Sequence, residues 1–185
     1  MKKKRIVSLS LIVALIAIIA GGTYAYFTDD DDVTNEFTVG NINIELKEPN
    51  FNDKHLIPGK TVKKDPTVTV KEKSEDSYVF MYVDNKISHL LVELDINEDW
   101  GPVEGTDNLY VNTQFDNNIV KKAGTDRRLV PLFNEIIVLD DLDNEQFKDF
   151  NEDTDVINIM AFAHQAEGVD YDVAVQAAKD HFGIE

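Results

Sequence analysis

Thr67-Val68-Thr69-Val70 and, after a charged turn, Tyr78-Val79-Phe80-Met81-Tyr82-Val83 decide the fold. The first four residues read as a strand. Pro66 suits its start, where a missing N–H costs little. The second run is apolar on both faces, which predicts a central strand covered on both sides. Lys71 to Asp76 is the charged turn between them.

Upstream, Phe37 to Lys47 alternates. Val39, Asn41, Asn43 and Glu45 fall on one side, and Gly40, Ile42, Ile44 and Leu46 on the other. Period-two alternation with β-branched residues predicts a half-buried strand. Glu48-Pro49-Asn50 closes it, and Pro58-Gly59 marks a later turn. Downstream, Ile87 to Leu94 fits a helix or an extended segment equally well. Trp100, the only Trp, sits beside Gly101-Pro102 and is expected to plug the edge of the core. Leu109-Tyr110-Val111 and Ile119-Val120 flank Asp116-Asn117-Asn118, which predicts a hairpin over 108–120. Leu129 to Phe133 is an extended apolar segment, and Glu135 to Leu139 a further strand. Asp140 to Phe150 is acidic, with room for one helical turn.

Val156 to Ala166 is apolar on both sides and predicts a second central strand. Tyr171, Ala174, Val175, Ala178 and Phe182 then form one stripe of an amphipathic helix. Asp170 stands at its N-cap and Gly183 at its C′ position, with Lys179 and His181 near the negative helix end. Many short strands and one terminal helix predict a mainly β fold, an antiparallel sandwich with a C-terminal helix.

The first 25 residues are of another kind. Met1-Lys2-Lys3-Lys4-Arg5 is a basic head, Ile6 to Ala20 an apolar run, and Thr23-Tyr24-Ala25 a small-x-small site. That is the layout of a secretory signal peptide, residues 1–25, cut between Ala25 and Tyr26. The run is shorter than the roughly 20 apolar residues of a membrane span. Residues 26–185 are then one exported domain, membrane-attached only before cleavage. Cleavage removes four of 18 basic residues and none of 35 acidic ones, leaving 14 against 35, a net charge of −21. Such a chain repels nucleic acid and anionic lipid. It has no cysteine, which excludes disulfides, thiol catalysis and zinc–thiolate sites. Asp29-Asp30-Asp31-Asp32 reads as a solvated charge block. A calcium contact there is the only cofactor the composition suggests.

The chain resembles the SipW-dependent family of exported proteins, which includes the TasA and camelysin groups. The residues that carry the resemblance begin at Gly21-Gly22-Thr23-Tyr24-Ala25-Tyr26-Phe27-Thr28-Asp29. They continue through Asn35 to Leu46, Ile57-Pro58-Gly59-Lys60 and Lys64 to Val70. Asp76 to Phe80, Pro131-Leu132-Phe133 and Ile159 to Gly168 follow in the family's order. The resemblance implies a jelly-roll-like β-sandwich, processing by a SipW-type signal peptidase, and export to the cell surface or matrix. It also implies self-association into biofilm fibres. In the fibre-forming members the freed N-terminal segment pairs as a strand with the next subunit, a case of β-strand addition. Here that segment is Tyr26 to Phe37, with Tyr26, Phe27, Thr28, Val33 and Phe37 as its pairing residues. The four adjacent carboxylates at Asp29–Asp32 depart from the family pattern and oppose pairing.

The resemblance also raises metalloprotease activity. A zincin needs His-Glu-x-x-His on one helix, because imidazoles at i and i+4 reach one metal while Glu activates water. The four histidines, His55, His89, His164 and His181, lack that spacing. His164 and His181 approach each other if the last helix folds back on its strand, which leaves them as candidate metal ligands beside Asp29–Asp32. The adjacent Ser88 and His89 do not make a triad, and there is no Gly-rich phosphate loop. No catalytic residue is assigned.

Overall fold

The computed structural model describes residues 41–51, 56–142 and 156–184. Nine strands and one helix follow in order: β1 (Ile44–Lys47), β2 (Thr61–Lys63), β3 (Thr67–Val70), β4 (Ser77–Asn85), β5 (Trp100–Pro102), β6 (Leu109–Asn112), β7 (Arg127–Arg128), β8 (Glu135–Ile137), β9 (Ile157–Gln165) and α1 (Tyr171–Phe182). They form three antiparallel sheets in the orders β1-β3-β7, β2-β8 and β5-β6-β4-β9. The fold is mainly β with one C-terminal helix. Among the described residues no helix is long and apolar enough to cross a membrane.

β4 is the central strand its sequence predicts, paired with β6 on one side and β9 on the other. Side chains alternate across the pleat. Val79, Met81 and Val83 join Ile42, Ile44, Val68, Val70, Ala161 and Ala163 in one core between the large sheet and the small ones. Tyr78, Phe80 and Tyr82 turn to the opposite face, where α1 lies. The helix stripe falls as its spacing predicts. Ala174 and Ala178 are buried, and Tyr171, Val175 and Phe182 pack around the same cluster. Gly183 adopts φ +68°, the left-handed C-terminal residue the sequence predicts. Asp170 stands at the N-cap, but its side chain makes no capping hydrogen bond.

One expectation needs correction, and others are met in part. Val156 to Ala166 forms β9, which among the described residues pairs with β4. Its two apolar faces are covered by α1 and by the larger core. Residues 108–120 do not form a hairpin. Phe80 pairs with Val111 while Ser77 pairs with Val120, so both segments line the same edge of β4 and residues 113–119 loop out between them. The hairpin partner of β6 is β5. Ile87 to Leu94 divides its two readings, with a 3-10 turn at Ser88–Leu90 and then an extended bridge from Leu91 to Val138. Of the strand predicted over 37–47, the ladder holds Ile44–Lys47, and 37–40 lie outside the described residues. Trp100 is buried, and its indole N–H donates to the Val130 carbonyl at 3.0 Å.

The Pro58-Gly59 turn reverses the chain before β2. Gly59 has φ +71°, and Lys60 N–H donates to Ile57 O at 3.0 Å. A Cβ at Gly59 would sit 3.4 Å from Asp140 Cβ. An L-residue pays about 1–2 kcal/mol in that left-handed conformation. Gly59→Ala is therefore expected to lower the thermal unfolding midpoint by about 2–8 °C for a chain of this size.

Candidate functional site

The sequence singles out two places. The cleavage residues Ala25 and Tyr26, the assembly strand with Phe27, Thr28, Val33 and Phe37, and the candidate ligands Asp29–Asp32 lie outside the described residues. So do His55 and the predicted turn after Leu142. His164 and His181 are described, and the fold gathers both around Phe162. The His181 ring stacks on Phe162 at 4.8 Å and 20°, while the His164 ring lies 6.3 Å from Phe162. The helix thus folds back on its strand as anticipated. His164 Nδ1 is 2.9 Å from the Gln165 carbonyl oxygen. Among the described residues no group of three His, Asp or Glu side chains is placed to hold a metal ion. Ser88 and His89 are both exposed on the 3-10 turn.

The densest polar geometry lies where the sequence reading marked only a strand start. Lys64 and Asp65, directly before Pro66, are 8% and 4% exposed. Lys64 Nζ reaches Glu48 Oε1 and Oε2 at 2.7 and 2.8 Å and sits 5.0 Å above the Phe51 ring. Asp65 accepts from the backbone N–H and side-chain amide of Asn50 at 2.9 and 2.6 Å. These contacts fasten the loop after β1 to the head of β3. Beside them opens a cleft of about 340 Å³ lined by Asn50, Lys63, Asp65 and Asn134. The available signal was a pair of opposite charges immediately before a proline that starts a strand. Charged groups that lose water there must be paired.

Lysines organise the acidic surface elsewhere. Lys71 bridges Glu45 at 2.5 Å and Asp126 at 3.3 Å. Asp76 accepts from Lys121 Nζ and Lys122 N–H, each at 2.8 Å. Lys47 and then Lys71 hold the Glu45 carboxyl below its ordinary range. Lys121 does the same for Asp76, and the Glu72 N–H for Asp126. Burial pushes the His181 imidazole below its usual 6.5. The unfolded chain therefore takes up the His181 proton first as pH falls, and the folded state loses stability from about 6.5 downward. The lowered carboxylates act further down. Their contribution is complete above the ordinary values of 4.5 and 3.8 and is lost as pH drops through the lowered ones. Thermal midpoints measured from pH 8 to 3 are thus expected to fall in two stages. His181→Gln should erase the first and keep the second.

A mainly β domain, closed by one helix and carrying an acidic surface tied by lysines, is the class these features define. The chain belongs to the family described as camelysin metallo-endopeptidase, whose profile matches residues 1–123. That match spans the N-terminal segment and the chain through β6. Membership suggests a secreted or surface protein. No curated protein and no solved structure matches the chain.

Proposed function

We propose that this chain is a secreted structural protein of the cell surface or extracellular matrix, a biofilm fibre subunit. A SipW-type signal peptidase releases it between Ala25 and Tyr26. The freed segment from Tyr26 to Phe37 then adds as a strand to the next subunit. The observation that carries this reading is the continuity of the family match from residue 1 through β6. A basic head, a short apolar run and a small-x-small site thus belong to the same matched unit as the β-domain. The antiparallel sheets around a shared core fit a jelly-roll-like sandwich, and open strand edges are what strand addition requires. The test is N-terminal sequencing of the exported protein, then electron microscopy of it with and without residues 26–32. A start at Tyr26 and fibres that vanish with the deletion are expected. Identical monomeric behaviour at neutral and acid pH and with calcium overturns the reading.

A second reading, a secreted metal-dependent peptidase, is favoured by the description of the matched family. His164 and His181, gathered around Phe162, are the residues it would draw on. Metal content and casein cleavage decide it. Cleavage that needs metal and disappears in His164→Ala establishes it, and no bound metal with no cleavage ends it.

A further inference from the structure

Strand addition needs an edge whose backbone groups are free, and the strand edges differ sharply. In an antiparallel ladder alternate residues turn their N–H and C=O away from the partner. On β9 these include Ala161 and Ala163, since Ala166 N–H and the even-numbered residues bond toward β4. Both alanines are 0% exposed, so the middle of that edge is covered, while Ile159 and Gln165 toward its ends are half-buried. On β1 the outward residues are Ile44, 1% exposed, and Leu46, half-buried and packed against the core. On β5 the outward residues are Trp100, whose N–H is committed to Asn97 O, and Pro102, which has none. β7 is two residues long.

β2 is different. Val138 N–H donates to Lys60 O at 3.0 Å and Lys64 N–H to Asn134 O at 3.3 Å, so the even-numbered residues face β8. Thr61 and Lys63 turn their backbone outward, and both are exposed. The far side of β8 is already occupied, by Leu91 and by Val92 N–H on Ile137 O at 2.8 Å. The edge is also basic. From Lys54 to Lys64 the sequence has four lysines and no carboxylate, within a chain of 35 acidic residues. Lys63 pairs with Glu135 in an exposed bridge, while Lys60 stands exposed on the turn.

We infer that the outer edge of β2, Lys60 to Lys64, is the docking site for the acidic N-terminal segment of a second copy of this chain. The inference rests on the assembly reading above and names the acceptor in it. Antiparallel pairing sets Asp29–Asp32 along the lysines, where opposite charges offset the repulsion within the run. It carries Tyr26 and Phe27 toward the cleft between Asn50, Asp65 and Asn134, and Val33 toward exposed Ile57. Outward backbone groups supply the hydrogen bonds and the lysines the register.

The chain has no native cysteine, so introduced pairs report proximity cleanly. Exported Asp30→Cys protein is mixed with Thr61→Cys protein, or with Gln165→Cys protein as the β9 control, and oxidised. A disulfide to position 61 and none to 165 is expected. In parallel, Lys60→Glu with Lys63→Glu should raise the assembly threshold about tenfold, as expected for loss of close charge pairs. The effect should shrink to within twofold when Asp29–Asp32 are all Asn. An unchanged thermal midpoint excludes misfolding, because both lysines are exposed. Fibres that cross-link to position 165 instead, or that ignore the lysine changes, overturn the β2 site and leave the assembly reading standing. No assembly under any condition overturns both.

Discussion

Phe80→Ala is expected to lower the unfolding free energy by about 3–5 kcal/mol, against the roughly 5–15 kcal/mol that holds a typical domain together. Phe80 is 0% exposed at the middle of the central strand. Its ring lies 6.4 Å from Phe162 and 6.5 Å from Tyr171, so it touches both the neighbouring strand and the helix. Removing it opens a cavity where β4, β9 and α1 meet. The expected result is a denaturant midpoint shifted far down with an unchanged slope, as for a loss of stability within a two-state transition. Val173→Ala is the internal standard. Val173 lies on the same helix but is 56% exposed, and its replacement should move stability by no more than about 0.5 kcal/mol. Equal effects from the two changes would mean that α1 does not dock on the sheet through this cluster.

What the sequence discloses follows from the range of the forces involved. The helix from Tyr171 to Phe182 is local, because its stripe, its left-handed Gly183 and its acidic N-cap all lie within one run, and its bounds come out residue for residue. The strand at Thr67–Val70 is equally plain. Pairing is not local. Nothing in Leu109–Val120 says that Val111 and Val120 lie on the same edge of β4, since that depends on a loop that leaves the ladder and returns. Nor can the two apolar faces of Val156–Ala166 say which strands lie on its edges. The candidate sites divide in the same way. That the rings of His164 and His181 both lie near Phe162 follows from one helix folding onto the preceding strand. The open edge at Thr61 and Lys63 needs the register of β2 on β8, and adjacent lysines read from sequence look like any solvated turn.

On the proposed strand addition, the four carboxylates at Asp29–Asp32 should make assembly responsive to pH and calcium, and neutralising them should abolish that response. On an extended strand alternate residues lie about 7 Å apart. Two such like-charge pairs cost roughly 1 kcal/mol in water before salt screening, and adjacent pairs add to it. The total approaches the 1.4 kcal/mol that corresponds to about a tenfold change in an association constant. The proposed acceptor edge of β2 offers incomplete relief, because Lys63 and Lys64 already serve Glu135 and Glu48. Protonating part of the run, or bridging it with a divalent cation, removes the residue of that repulsion. On the proposed strand addition, assembly followed by light scattering is therefore expected to quicken by a few-fold, less than about tenfold, between pH 7 and pH 4.5 and on adding millimolar calcium at pH 7. With Asp29–Asp32 all replaced by Asn, both responses should fall below about twofold, while the two-stage acid dependence of domain stability persists. That persistence separates the segment from the domain. His181 and the lysine-bound carboxylates titrate in either protein, so a pH response surviving in the Asn variant would place the sensitive groups in the folded domain.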